Sequence, residues 1–238
     1  MLQELIGTGC DRTGDWPRHT TAREKPALKE TIVTTQLPPP TDRTTDHPAH
    51  RIFVDRWSPR GFAADAIHEQ DLLTFIEAAR WAPSSFNSQP WRFLYALRGQ
   101  PEFAVFLEPL IEFNRGWAQH AAALVYVISK KSFTPAGKTE PTISRTHSFD
   151  AGAAWANLAN QAALSGFACH GMSGFDVASA QQALKVPDGF VVEIAVAIGR
   201  KGDGAHLPAS LKEREKPSPR LPITDIASSG LFPQRFAG

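Results

Sequence analysis

The 238 residues suffice for one substantial domain or two small ones, and a 42% hydrophobic content is enough to fill a core. A formal net charge of +1, without any long block of like charges, argues against nucleic acid or another polyanion as partner. The cysteines, Cys10 and Cys169, form no CxxC pair, which fits a reducing, cytoplasmic setting and gives little material for a metal site.

Residues 1–50 carry six of the 19 prolines, including the tract LPPPTDRTTDHP, with six Lys/Arg against seven Asp/Glu and hardly any hydrophobic periodicity. They read as an extended or disordered arm, assigned to residues 1–45, ahead of a globular domain over 46–238. The start of the chain has neither a basic opening nor a continuous apolar segment, so no ordinary signal peptide is expected. The longest apolar run, Ala121 to Ser129, falls short of the ~20 residues that a bilayer requires, so no membrane association is expected.

Beyond the arm, Ile67–Trp81 sets Leu72, Leu73, Ile76 and Ala79 on one stripe of an amphipathic helix that Pro83 stops. Trp91–Leu97 is predicted as a strand, Pro101–Phe113 as helix-like, and Ala123–Lys130 as a buried strand. Phe149–Leu164 is a long helix in which Gly152, Ala153, Ala156, Ala159 and Ala163 recur at helical spacing, suited to close packing in a core or against a second subunit. Phe167–Met172 follows as a strand, then a helix capped by Asp176, then the strand Val191–Gly199. Strands separated by helices imply an α/β or α+β sheet with helices on its faces.

The common catalytic signatures are missing: there is no GxSxG, no HExxH, no GxxxxGK[ST], and no GxGxxG after a strand. His120, His147 and His170 are isolated in sequence and read as hydrogen-bonded core or surface residues rather than metal ligands. Three polar segments remain. RWSPR, from Arg56 to Arg60, offers two guanidiniums and a hydroxyl; PSSFNSQPW offers hydroxyls and amides at a helix end; KPSPRLP, from Lys216 to Pro222, brings a further arginine. Together they suggest a ligand with an anionic end and a polar planar ring.

RWSPRGF, APSSFNSQPWRF and GMSGFD, with FNRGWAQHAAALVYVISK and PRLPITDIA, follow in order the motifs of the FMN-dependent nitroreductases, and the chain resembles that family from about residue 46 to its end. The resemblance implies an α+β, nitroreductase-like fold with a central, mainly antiparallel sheet flanked by helices. It further implies an intertwined homodimer with FMN at the interface, NADH or NADPH as hydride donor, and a small-molecule acceptor. Carried over, Arg56, Ser58 and Arg60 would bind the phosphate, ribityl chain and pyrimidine edge, with Trp57 beside them; Asn114 would bind the pyrimidine edge and Arg220 the phosphate. Pro83, Ser84, Ser85 and Asn87 would come from the other subunit against the ring. Met172, Ser173 and Gly174 would lie near flavin N5, with backbone N–H groups of Ser173 and Gly174 directed to it. No side chain is expected to be catalytic in its own right, because the flavin carries the hard step. Trp57, Trp117 and Ser173 depart from residues common in the family, which bears on substrate preference. Oxygen-using or dehalogenating chemistry in the same family, or a flavin sensor or store without turnover, are the alternatives.

Overall fold

The computed structural model describes residues 37–237. At its centre Ala123–Lys130 forms β2, a strand buried at every residue but Lys130. An uninterrupted apolar run is what a strand covered on both faces requires. Trp91–Leu97 forms β1, Ala168–Met172 β5 and Phe190–Gly199 β6, and the sheet order is β1-β2-β6-β5 with every pairing antiparallel. A register shift between Val127 and Ile128 interrupts the β2–β6 ladder. The small strands between β2 and β5 are β3, Ser132–Phe133, and β4, Thr142–Ile143, paired as a separate hairpin.

Alternation along the strands sends side chains to two cores. Val125, Val127, Val196, Ile198 and Cys169 face the layer built by α2, Glu69–Arg80, and α5, His147–Leu164, where Leu72, Phe75, Ala154, Leu158 and Ala162 pack. Leu124, Tyr126, Ile128, Ala195, Ala197 and Met172 face the opposite layer, with Phe103, Phe106, Trp117 and Ala180. The result is an α+β fold of helices on both faces of an antiparallel sheet, as expected. Helix α6, Val177–Ala183, starts at the expected cap, where the Asp176 carboxylate accepts from Ser179 N–H at 2.7 Å.

The single helix-like stretch predicted over Pro101–Phe113 is instead two short helices, α3 (Glu102–Leu107) and α4 (Glu112–Ala118). Pro109 lacks an N–H and its carbonyl accepts from Asp176 N–H, while Ile111 N–H donates to Gly174 O. The chain leaves the helix there to bond with the turn that follows β5. The apolar periodicity runs on through this break and conceals it.

The predicted arm lies outside the described residues as far as residue 36, together with Cys10. Its described end is bonded to the body. Helix α1, Arg51–Asp55, ends in an Asp55 that is 2% exposed and accepts from Thr41 N–H at 2.9 Å, Thr41 Oγ1 and Arg51. Arg43 donates to the carbonyls of Val54, Arg56 and Ser218, each at 2.9 Å, and so joins the segment before α1 to the C-terminal segment.

Candidate functional site

The segment after α1 runs along the end of the sheet where β6 finishes. Phe62 bridges Lys201, and Gly202 N–H donates to Gly61 O at 2.8 Å. Gly61 is required by this approach, since a Cβ there would stand 2.7 Å from Gly204 Cα. The short helix α7, Ala209–Lys212, then turns the chain back so that the Glu215 carboxylate accepts from the N–H groups of Arg60 and Gly61, at 2.8 Å for each shorter contact. Sequence segments some 150 residues apart are thereby pinned together.

Between them lies a cavity of about 300 Å³ lined by Trp57, Ser58, Arg60 and His170 on one side and Arg43, Arg214, Lys216, Ser218 and Arg220 on the other. Among the described residues, five cations face it and no carboxylate does. The nearby Glu215 is already engaged with two backbone donors. Burial pulls the Arg60 guanidinium below its usual pKa, and Arg214 adds to this while Glu215 opposes it. Burial does the same to Arg43, reinforced by Arg220 and Arg56. Arg60 Nε and Arg43 Nη2 are buried without a hydrogen-bond partner among the described residues. Desolvated, mutually repelling guanidiniums with orphaned N–H donors are what an anion relieves, and a phosphate monoester supplies both charge and acceptors. Arg56 does not line the cavity; it is half-buried behind it, its pKa lowered first by burial and further by Arg220, while nearby Cys169, with its thiol pushed up to about 12 by burial, opposes that shift. A larger open groove of about 810 Å³ adjoins this cavity, between residues 42–54 and 216–226, and shares Arg43, Lys216 and Arg220 with it.

A second group of the expected residues sits partway along the sheet. Met172 pairs with Ala195 at the end of β5, and beyond it Gly174 O accepts from Asn114 Nδ2 at 3.0 Å and from Ile111 N–H at 3.1 Å. A Cβ at Gly174 would lie 2.5 Å from Asn114 Nδ2, so glycine alone permits this contact. Asn114 is 8% exposed and ties α4 to the turn after β5. Its Oδ1 has no hydrogen-bond partner among the described residues. His170 lines the cation cavity, and Gly174 lies four residues further on, so the local chain links that cavity to the Asn114–Gly174 contact.

The third group, Pro83, Ser84, Ser85 and Asn87, is at the other end of the sheet. Pro90 O accepts from Lys130 N–H, and Lys130 pairs with Phe190, the first residue of β6. The Arg60 segment adjoins the last residues of that same strand. At a rise of ~3.3 Å per residue, the ten residues of β6 separate the two groups by about 30 Å. One chain therefore does not bring all of the expected site residues together.

The loop of this third group is tightly determined. Phe86, Asn87 and Gln89 hold positive φ of 54°, 50° and 46°. Ser84 Oγ accepts from Gln89 N–H at 3.0 Å, Ser84 O from Asn87 N–H, and the buried Asp150 carboxylate from Ser85 N–H. Phe86 stacks on Phe133 at 5.3 Å yet is 82% exposed. Left-handed backbone at residues that disfavour it costs roughly 1–3 kcal/mol each and is kept where the surroundings impose it, often at a ligand site.

Of the cavity residues, Arg43, His170, Arg214, Lys216 and Ser218 were not among the expected site residues. Arg43 lies in the stretch whose composition reads as an arm, and His170 is an isolated histidine in sequence. Lys216 and Ser218 lie within the KPSPRLP segment, and the only sequence signal for Arg214 is its place two residues before it.

A model described as the Nitroreductase family matches residues 54–102. A solved FMN-containing oxidoreductase is 46% identical, with 80% of this chain and 96% of that chain covered and a TM-score of 0.77. A protein of Exiguobacterium sibiricum provisionally named a nitroreductase, solved in complex with FMN, shares the fold at 22% identity, TM-score 0.62, over 79% of this chain and 100% of its own. A protein of Bacillus subtilis provisionally named NAD(P)H nitroreductase YdgI is 35% identical over 79 residues, 33% of this chain and 37% of that one.

Proposed function

Because the chain belongs to the nitroreductase family, we propose that it is an FMN oxidoreductase that takes hydride from NADH or NADPH and delivers it to a nitroaromatic, quinone or related conjugated acceptor in a ping-pong cycle. The observation that carries the reading is the cation cavity, where among the described residues five positive side chains, orphaned guanidinium N–H groups and no facing carboxylate match a phosphate monoester. When bound, FMN supplies the hydride chemistry at N5. The nicotinamide donor rests on the naming of the B. subtilis relative, which covers a third of this chain.

In this reading Arg60, Arg220 and Ser58 hold the phosphate, joined by Arg43, Arg214 and Lys216, and Arg56 adds positive potential from behind. Asn114, held against Gly174, offers its free Oδ1 to the pyrimidine edge, and the N–H groups of Ser173 and Gly174 are directed to the ring. The globular unit is residues 46–238, with the stretch before it as an arm whose end, at Thr41 and Arg43, is tied to that unit.

The ring-facing Pro83–Asn87 loop belongs to a second copy of the chain. The about 30 Å between that loop and the cation cavity within one chain supports this. So does the outer side of α5, where Phe149 is 79% exposed, Gly152 and Ala156 are exposed, and no charged residue is present. A surface of that composition is suited to burial against another protein.

Purified protein is expected to be yellow, and anaerobic addition of NADH or NADPH is expected to bleach the flavin absorbance, which an added quinone or nitroaromatic restores. A colourless protein that takes up no FMN would refute the assignment.

A further inference from the structure

His170 is on β5 and its ring lines the cation cavity, although nothing in the family motifs marks it. Its Nδ1 is 3.1 Å from Pro59 O. A carbonyl oxygen only accepts, so Nδ1 carries the proton and the neutral ring has its lone pair on Nε2. Nε2 makes no hydrogen bond of good geometry among the described residues, although the Ser58 carbonyl also lies close enough to the ring to raise its pKa. The ring also packs on Trp117, with centroids 4.6 Å apart, which together with the Pro59 bond fixes its orientation.

The charged groups around the ring are those of the cavity wall: Arg60 from the segment after α1, Arg214, Lys216 and Arg220 from the C-terminal segment, and Arg43 from the segment before α1. Among the described residues the carboxylate acting on the ring is Glu215, occupied by the N–H groups of Arg60 and Gly61. Across the strand the partner residue is Ala197, which carries no charge. Burial and then Arg60 lower the imidazole's pKa, against the opposing pull of the Pro59 and Ser58 carbonyls and of Glu215. Without an anion the ring is therefore neutral near pH 7.

A phosphate dianion entering the cavity has only acceptors to offer, and an Nε2 lone pair facing it would repel it. A proton on Nε2 turns that repulsion into a charge-assisted hydrogen bond. We propose that His170 is a phosphate-binding residue that acts as the imidazolium, so that seating a phosphate monoester in this cavity takes up one proton from solvent. The proposal rests on the reading of the cavity as the seat of the FMN phosphate. The arginines alone would bind FMN with little dependence on pH in the neutral range; with His170, affinity falls about tenfold per pH unit across the range in which the free ring is neutral while the bound ring still keeps its proton.

The test is calorimetric titration of FMN into the apoprotein at about pH 8, in Tris, Tricine and HEPES, whose ionisation enthalpies differ. The dependence of the observed heat on buffer gives the number of protons exchanged. Wild type is expected to take up close to one proton per FMN, and its Kd to rise across about pH 7 to 9. His170→Gln is expected to bind FMN about tenfold more weakly at the acid end of that range, with buffer-independent heats and a flat pH profile. In 15N-labelled wild type, the His170 ring nitrogens are expected to shift on FMN addition from the Nδ1–H pattern to the doubly protonated one, a readout that stands even if the variant does not fold. FMN binding without proton uptake, uptake that survives in His170→Gln, or ring resonances that stay neutral would overturn the role of His170 while leaving the flavin assignment in place. A wild type that binds no FMN would overturn both.

Discussion

At the scale of single residues, the chemistry of this site depends on which charges are left without a partner. Glu215 could have neutralised a guanidinium, but its carboxylate is turned to two backbone N–H groups, so it orders the Arg60 loop and leaves the cavity cationic. Asp55 has the opposite role: buried, it accepts from Thr41 and Arg51, and these bonds outweigh the upward pull of burial and depress its pKa below the ordinary 3.8. A depressed carboxylate contributes stability that is fully present above its unfolded pKa and is lost as pH falls through the folded one. Thermal melts from about pH 5 to 3 are therefore expected to show a destabilisation setting in below about pH 4, and the Asp55→Asn variant to lose that component. Identical pH dependence in the two proteins would show that Asp55 is not its source. Ser58, Arg60 and Arg220, which line the cavity, lie in segments that the sequence singles out, whereas Arg56 of the same motif does not line it. Arg43 and His170 were not legible, because each is brought to the cavity by contacts more than ten residues away in sequence, to Val54 and Arg56 in one case and to Pro59 in the other.

At the scale of elements, β1 and β2 were legible to the residue and β5 and β6 to within one residue at their starts, while the short hairpin of β3 and β4 was not foreseen. β1 and β2 have the predicted bounds, since an apolar run between turn residues has little freedom to shift when both faces are covered. The α3–α4 break was hidden by a periodicity that persists while the backbone bonds to another element. The 83–89 loop was legible as a helix stop with polar side chains, but its left-handed residues were not, because nothing in Phe86 or Gln89 favours that conformation. The stacking of Phe86 on Phe133 and the bonds from Ser84 and to Asp150 hold it there. Replacing Ser84 and Ser85 by leucine removes the hydroxyl that accepts from Gln89 N–H and places two branched side chains in a strained turn. The double variant is expected to stay folded, because the loop is exposed, and to lose most of its bound flavin and turnover. Absorbance ratios at the protein and flavin bands measure the first and steady-state NAD(P)H oxidation the second; wild-type values for both would remove the loop from the site.

At the scale of the whole molecule, the expected site residues fall into separate places along one sheet, and a second chain is what would reunite them. A mixing experiment tests this without reference to any single contact. Arg220→Ala loses a charge-assisted contact to phosphate worth about 1.5–3 kcal/mol, a 10- to 150-fold weakening of FMN binding. The Ser84→Leu, Ser85→Leu variant is damaged in the loop. Co-expressed, the two damaged chains are expected to yield a hybrid with one intact site, in which the loop of the first chain meets the arginine of the second, and hence to recover up to half of wild-type activity. Hybrids as inactive as their parents would place the loop and the arginine in the same chain's site.

The length of β6 has a thermodynamic consequence. If an isolated chain holds only the phosphate end of its flavin and the loop arrives with another copy, then cofactor affinity and self-association are a single linked equilibrium, and each must strengthen the other by the same factor. In that case FMN would be a cohesive agent between subunits as well as a redox group: dilution would strip flavin from the protein, stripping flavin would loosen the pair, and the supply of riboflavin phosphate would set the assembly state as much as the activity.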